Sequence, residues 1–318
     1  VPVILNHLTF TIFFPLLLMT GCRPLLPNEP RVPDWQSEQV LTHQFLTPAL
    51  ANLEAFFLTV RNILDPELSR AQPSKWGKPY PLGQCLEISK AVQQYLEQNG
   101  LSGLDGASAE GYTALIAFLR HGGSMRQVWG DLRGEYFQNA FLLGTLYVDV
   151  SNDTVVSTKP KVEILPLEQA RFVPLEDYGH FARVAARYWQ AHIFPNHIVP
   201  ALAPYFPIIT VVPGGNVRFQ SVTNYMIALT QHGEFRPSEI ALDAPLLSSD
   251  LFQLLTHCFP DFALDVAGNP AQGRDLALRH CQQYRAARWH RSNERRTWAI
   301  NKVTEANHCL ARITVNSA

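Results

Sequence analysis

Cys85 follows Gly83-Gln84 and opens a run, Leu86 to Leu96, whose apolar residues recur at helical spacing. That places a thiol in the first turn of a helix. Unpaired backbone N–H groups and the positive end of the helix dipole favour a thiolate there. Gly83 would let a substrate approach the backbone closely. A lone cysteine at a helix start also reads as plain core packing, so other groups must decide between the two. A thiol acyl-transfer site needs a thiolate, a base that shuttles its proton and a group that orients the base. Asp149, an acid inside an apolar strand and costly to bury without partners, is either a solvent-facing residue or a working one such as the orienting group. The middle position needs a group that accepts and returns a proton near neutral pH, which an amide cannot do. Positioned acid–base catalysis is worth roughly 10²–10⁴-fold, so its loss leaves little turnover unless another imidazole enters. His121, just before the first central strand, is the nearest candidate for a relocated base and also reads as a solvated loop histidine. His180, His192 and His197 would reach the site only if the C-terminal region packs on it.

These residues are positioned by the stretch Gly122 to Thr158. Met125 to Trp129, Tyr136 to Leu143 and Leu146 to Val150 read as three strands, with Gly144-Thr145 at hairpin spacing between the last two. Gln138 points to the opposite strand face from Asn139 and is a poor substitute for the missing base. Asp149, Asn152 and Asp153 could hold a cation, but lacking a further carboxylate nearby they read better as a hydrogen-bonded turn.

The order of these parts resembles the transglutaminase-like branch of the papain-like cysteine fold. The parts are Gly83-Gln84-Cys85 at a helix start, the strand from Gly122 to Trp129, Asn139-Ala140-Phe141, and Tyr147-Val148-Asp149-Val150. The resemblance covers residues 80 to 158, about a quarter of the chain. It implies a Cys–His–Asp site with Cys85 and Asp149 in the outer roles, and the family's histidine position is occupied by Asn139.

Around this centre, Thr47 to Leu64 has the apolar spacing of an amphipathic helix, with Asp65-Pro66 as its stop. Pro24 to Pro33, with four prolines, reads as an extended linker, and the glycine-rich stretch from Leu101 to Gly111 as a mobile loop. Tyr112 to Leu119 fits either helix or strand. Beyond residue 175 come an amphipathic aromatic helix (Leu175 to His192), a hairpin spanning Phe206 to Val222, a short helix capped by Ser248, and a long polar helix from Arg274 to about Lys302. The fold class is therefore α+β: an antiparallel sheet with N-terminal helices over 47–174, then a mainly helical region over 175–318 with one hairpin. Residues 19–46 form the proline-rich linker.

The formal charge of −1 gives no reason to expect nucleic acid or a membrane as partner. It is unevenly spread, since Arg274 to Arg296 holds seven arginines against Asp275 and Glu294. That helix could meet an anionic surface, and it reads equally as a solvated helix whose Arg stems lie over apolar neighbours. Five scattered cysteines without zinc spacing suggest reduced thiols and a cytoplasmic protein, with no metal or other cofactor. The apolar run Val3 to Met19 ends in Met19-Thr20-Gly21-Cys22, which looks like a bacterial lipoprotein cleavage box. It lacks a basic start, so residues 1–18 read as an apolar leader or as an over-extended start with Met19 as initiator. Anchoring through Cys22 is the alternative localisation, and the one route to a membrane.

Two functions follow. One is a catalytically degenerate protein that binds a peptide, protein or small molecule in the old cleft, or serves as a scaffold. The other is a cysteine-dependent acyltransferase, peptidase or amidase with Cys85 as nucleophile and a relocated histidine.

Overall fold

A computed structural model describes residues 23–98, 104–212, 216–220 and 224–313. The apolar leader, Cys22, residues 99–100, where the sequence pointed to the end of the Cys85 helix, and residues 213–215, where it pointed to the hairpin turn, lie outside the described residues. No helix among the described residues is long and apolar enough to cross a membrane.

The segment expected to be a linker is packed instead. Glu29 is buried, accepts from Arg23 and Arg31 and from the backbone of Leu26, and so folds residues 23–31 back on themselves. Trp129 N–H donates to Asn28 O at 2.8 Å, which ties this turn to the sheet. The prolines fix the turn's backbone, and one buried carboxylate supplies the partners that a free linker would lack. Helix α1 (Trp35–Leu41) follows, continued by a π turn at Thr42–Leu46 and a 3₁₀ turn at Thr47–Ala49 into α2 (Leu50–Ala71).

α2 runs through Pro66, where the sequence pointed to a stop. Pro66 and Asn62 are both exposed, so the Asn62 carbonyl freed by the proline can turn to water. Arg61 Nε donates to Asp65 Oδ1 at 3.0 Å across the same turn. A short ribbon of β1 (Ser74–Lys75) and β2 (Lys78–Pro79) leads to α3 (Cys85–Gln98). α4 (Gly106–Arg120) begins inside the stretch expected to be a mobile loop. Gly111 explains that use of glycine, because a Cβ there would stand 2.1 Å from Asn52 O, so only glycine lets α4 lie this close to α2.

The central sheet is antiparallel throughout. β3 (Met125–Leu132) pairs with β4 (Tyr136–Leu143), and β4 with β5 (Leu146–Asp149) through the Gly144-Thr145 turn. β6 (Glu163–Pro166) covers the β5 edge. After the one-turn helix α5 (Leu167–Ala170), β7 (Phe172–Val173) covers the β3 edge. The spatial order is β6-β5-β4-β3-β7. Side chains alternate across this sheet. Phe141, Leu143, Leu146 and Val148 face α2, α3 and α4, burying Phe56, Phe57 and Val60 of α2. Each such phenylalanine contributes about 1.5–3 kcal/mol relative to exposure. Ala140, Leu142 and Tyr147 face the other way and meet Ala170 and Phe172.

The C-terminal region begins with α6 (Tyr178–Tyr188), whose Phe181 stacks on Phe137 of β4 at 5.0 Å. A second antiparallel sheet holds β8 (His192–Pro195), β9 (Ile208–Val211) and β10 (Val217–Phe219), so the hairpin gains a third strand. Helices α7 (Asn224–His232), α8 (Arg236–Leu242), α9 (Ser249–Thr256), α10 (Pro270–Ala286) and α11 (Asn293–Leu310) build the second core around it. α10 and α11 replace the single long helix read from the sequence. The break is at Arg288, in the left-handed region at φ +58°, and Ser292 then caps α11 by accepting from Arg295 N–H. Gly273 lies within α10 rather than before it, close against the His197 carbonyl.

Candidate functional site

Cys85 is the first residue of α3, and the helix N-terminus is pinned from below by Gly83 N–H donating to Thr154 O at 2.8 Å. α3 lies on β4 through two polar contacts four residues apart. Asn139 Nδ2 donates to Cys85 Sγ at 3.4 Å, and Ser89 Oγ donates to Asn139 O at 3.2 Å. The thiol and the strand amide are thus brought together as the sequence order implied.

Asp149 is not part of that contact. It faces the other side of the sheet, fully buried, and takes four donors. Gln138 Nε2 (2.7 Å) and Tyr147 Oη (2.9 Å) donate to one oxygen, and Ser151 N–H (2.8 Å) and Ser151 Oγ (3.0 Å) to the other. Gln138, set aside in the sequence for pointing away from Asn139, is the residue that engages the acid. Burial pushes the Asp149 carboxyl above its usual value, and these four donors pull against that shift.

Cys85 responds to its surroundings in the same direction. Burial pushes its thiol up, the Asn139 side chain and backbone lower it, the Asp149 charge raises it and Lys75 lowers it. The balance is upward, and desolvation is its largest cause. Only 9% of the Cys85 surface reaches solvent.

No histidine ring nitrogen bonds to Cys85 or Asn139 among the described residues. His121 caps α4, its Nδ1 at 2.7 Å from Ala117 O and its ring 4.4 Å from that of Phe45. His180 Nε2 lies 2.8 Å from Asp131 Oδ2. His197 is buried in the second core with Nε2 2.9 Å from Leu242 O, and His192 stacks on Phe194. The Asp149, Asn152 and Asp153 run does not converge on a cation either. Asp153 pairs with Arg61, Asn152 donates to Pro160 O, and no metal-binding group of three acids, histidines or cysteines occurs among the described residues.

Several residues around Cys85 were not singled out in the sequence. Trp76, at the tip of the β1–β2 ribbon, is 61% exposed, with Lys75 Nζ 4.7 Å above its ring. A Cβ at Gly83 would stand 3.6 Å from the Trp76 ring, so the indole lies on the loop that precedes the thiol. Lys75 also bonds Glu87 on α3 at 2.7 Å. Burial raises the Tyr188 phenol, with a smaller contribution from the Cys85 thiol. Beyond Asn139, Phe137 meets Trp129, Trp189 and Phe181 in an aromatic cluster. The one advance signal was Trp76-Gly77, an aromatic held at a tight turn between two lysines. Compared with family models, curated proteins and solved structures, this chain matches none. The geometry alone therefore bears on function.

A second feature supports the site from beneath. Arg61 is fully buried, with Nη1 and Nη2 at 3.1 and 3.2 Å from the two Asp153 oxygens, and it also donates to the Val150 carbonyl. Asp65 joins Arg61, Tyr80 and Lys161. This network holds the chain after β5, whose Thr154 carbonyl receives Gly83.

Proposed function

We propose that the chain is a catalytically degenerate member of the transglutaminase-like, papain-like class that binds a peptide or small ligand beside Cys85, or acts as a scaffold. The observation that carries this reading is the partner of the thiol: an amide nitrogen at 3.4 Å, where acyl transfer requires an imidazole. A carboxamide returns no proton, and burial holds the thiol in its neutral form. Trp76, exposed on the loop that precedes the thiol, supplies contact area for a ligand at low entropic cost.

The alternative, a cysteine acyltransferase, peptidase or amidase, needs a base from elsewhere. His121, the sequence candidate, is held on Phe45 and the Ala117 carbonyl. Incubation with an activated acyl ester at neutral pH, followed by intact-mass measurement, separates the two. No Cys85 adduct above the rate of a free thiol is expected. Rapid acylation that disappears in His121→Ala or His180→Ala would establish the enzyme instead.

A further inference from the structure

A cleft of about 400 Å³ opens between α6 and the β3–β4 turn, lined by Asp131, Gly134, His180, Arg183, Val184 and Arg187. It lies apart from the Cys85–Asn139 contact and plays no part in the function proposed above. Residues 180, 183, 184 and 187 share one face of α6. Two guanidiniums one turn apart on one face repel each other, which weakens a helix unless something anionic lies between them.

Three acids near the cleft have partners of their own. Asp131 Oδ1 accepts from Gly134 N–H at 2.8 Å, and Oδ2 is 2.8 Å from His180 Nε2. His180 Nδ1 accepts from Glu176 N–H at 3.4 Å, an arrangement that assigns the proton to Nε2 and makes the ring a strut between α6 and β3. Asp177 caps α6 by accepting from His180 N–H at 2.6 Å, and Glu163 pairs with Arg133 at 2.7 Å. Arg183 is exposed and makes no hydrogen bond or ion pair among the described residues. Arg187 spends one donor on Gly134 O at 3.3 Å and keeps the rest.

We propose that this cleft binds a phosphate-bearing small molecule, its phosphate held by Arg183 and Arg187. A phosphate monoester dianion presents three terminal oxygens, so two planar guanidiniums can each fork onto two of them by sharing one, which the two oxygens of a single carboxylate do not allow. The volume exceeds that of a bare phosphate and falls within the range of small-molecule sites, so an organic portion has room against Val184 and the His180 ring.

The test is a melting titration of the full chain with inorganic phosphate, against sodium chloride at matched ionic strength and against succinate. A saturable rise in Tm with phosphate is expected. Removing one charge-assisted fork, as Arg183→Gln or Arg187→Gln, should weaken binding by about 10-fold or more, and the double variant should abolish the rise. Both positions are exposed and Gln keeps helix propensity, so the double variant should melt in chloride no lower than the natural protein. A second measurement needs no variant: phosphate should protect Arg183 and Arg187 from phenylglyoxal, mapped by mass spectrometry. The proposal is overturned by no saturable effect, by an effect that persists in the double variant, by absence of protection, or by succinate binding more tightly than phosphate.

Discussion

The two faces of the β4–β5 hairpin carry polar side chains of opposite standing. On the face toward α3, Asn139 makes one long contact, 3.4 Å, with a thiol. On the other face, Asp149 is surrounded by four donors at 2.7 to 3.0 Å. Gln138 and Asn139 are neighbours in sequence, yet the strand's two-residue period sends one to the acid and the other to the cysteine. A triad needs nucleophile, base and acid in one line. Here the acid is saturated on the side away from the nucleophile, so the carboxylate serves the fold and the thiol is left with an amide.

The largest effect should come from breaking the saturated face. Asp149→Ala leaves the Tyr147 hydroxyl and the Ser151 N–H without an acceptor, while Gln138 keeps the Ser151 carbonyl and Ser151 Oγ keeps the Asn139 carbonyl, and should cost about 2 kcal/mol or more in chemical denaturation. A loss below about 1 kcal/mol would mean water replaces the carboxylate and the face is not closed.

A smaller and more specific effect concerns pH. Burial raises the Asp149 carboxyl above the ordinary carboxylate value in the folded protein, so the folded state holds that proton more tightly than the unfolded chain. The stability it contributes is fully present below the unfolded value and is lost as pH rises through the folded one. The stability of the natural protein relative to Asp149→Asn should therefore increase as pH falls toward 4. A difference that shrinks on acidification would show that the four donors outweigh burial.

The smallest effect should come from the other face. Asn139→Ala removes one weak amide–thiol contact and should change stability by about 1 kcal/mol or less. The variant would still bind Ser89 through its backbone carbonyl, which keeps α3 in place. A loss as large as that of Asp149→Ala would erase the contrast between the faces.

The helix that begins at Cys85 and the β4–β5 hairpin were legible because period and turn chemistry agree there: the apolar residues of α3 repeat at 3.6, and Gly144-Thr145 fits the two-residue turn. The pairing of Cys85 with Asn139 came from the resemblance in the order of parts, because period and turn alone do not say which strand residue meets the thiol. What the sequence hid depends on contacts distant along the chain. Arg61 sits on the apolar stripe of α2 with Leu53, Phe57 and Val60, a position that signals a buried ion, but its partner Asp153 is 92 residues away. The Pro66 stop failed because the proline lies on the exposed side, and the linker failed because a single glutamate, Glu29, closes it. The direction of the Cys85 shift was hidden for the same reason. A helix dipole can be read from position, whereas desolvation depends on what packs around the thiol.

The central claim is that Cys85 is an unactivated thiol. Its ionisation can be followed without reagent access, as the difference in ultraviolet thiolate absorbance between the natural protein and Cys85→Ala across pH. Burial places the transition above the free-thiol value of about 8.5, so the difference should be absent at neutral pH and appear only in alkaline solution. A transition near or below pH 7 would contradict the account, because the helix N-terminus or a positive partner would then outweigh burial.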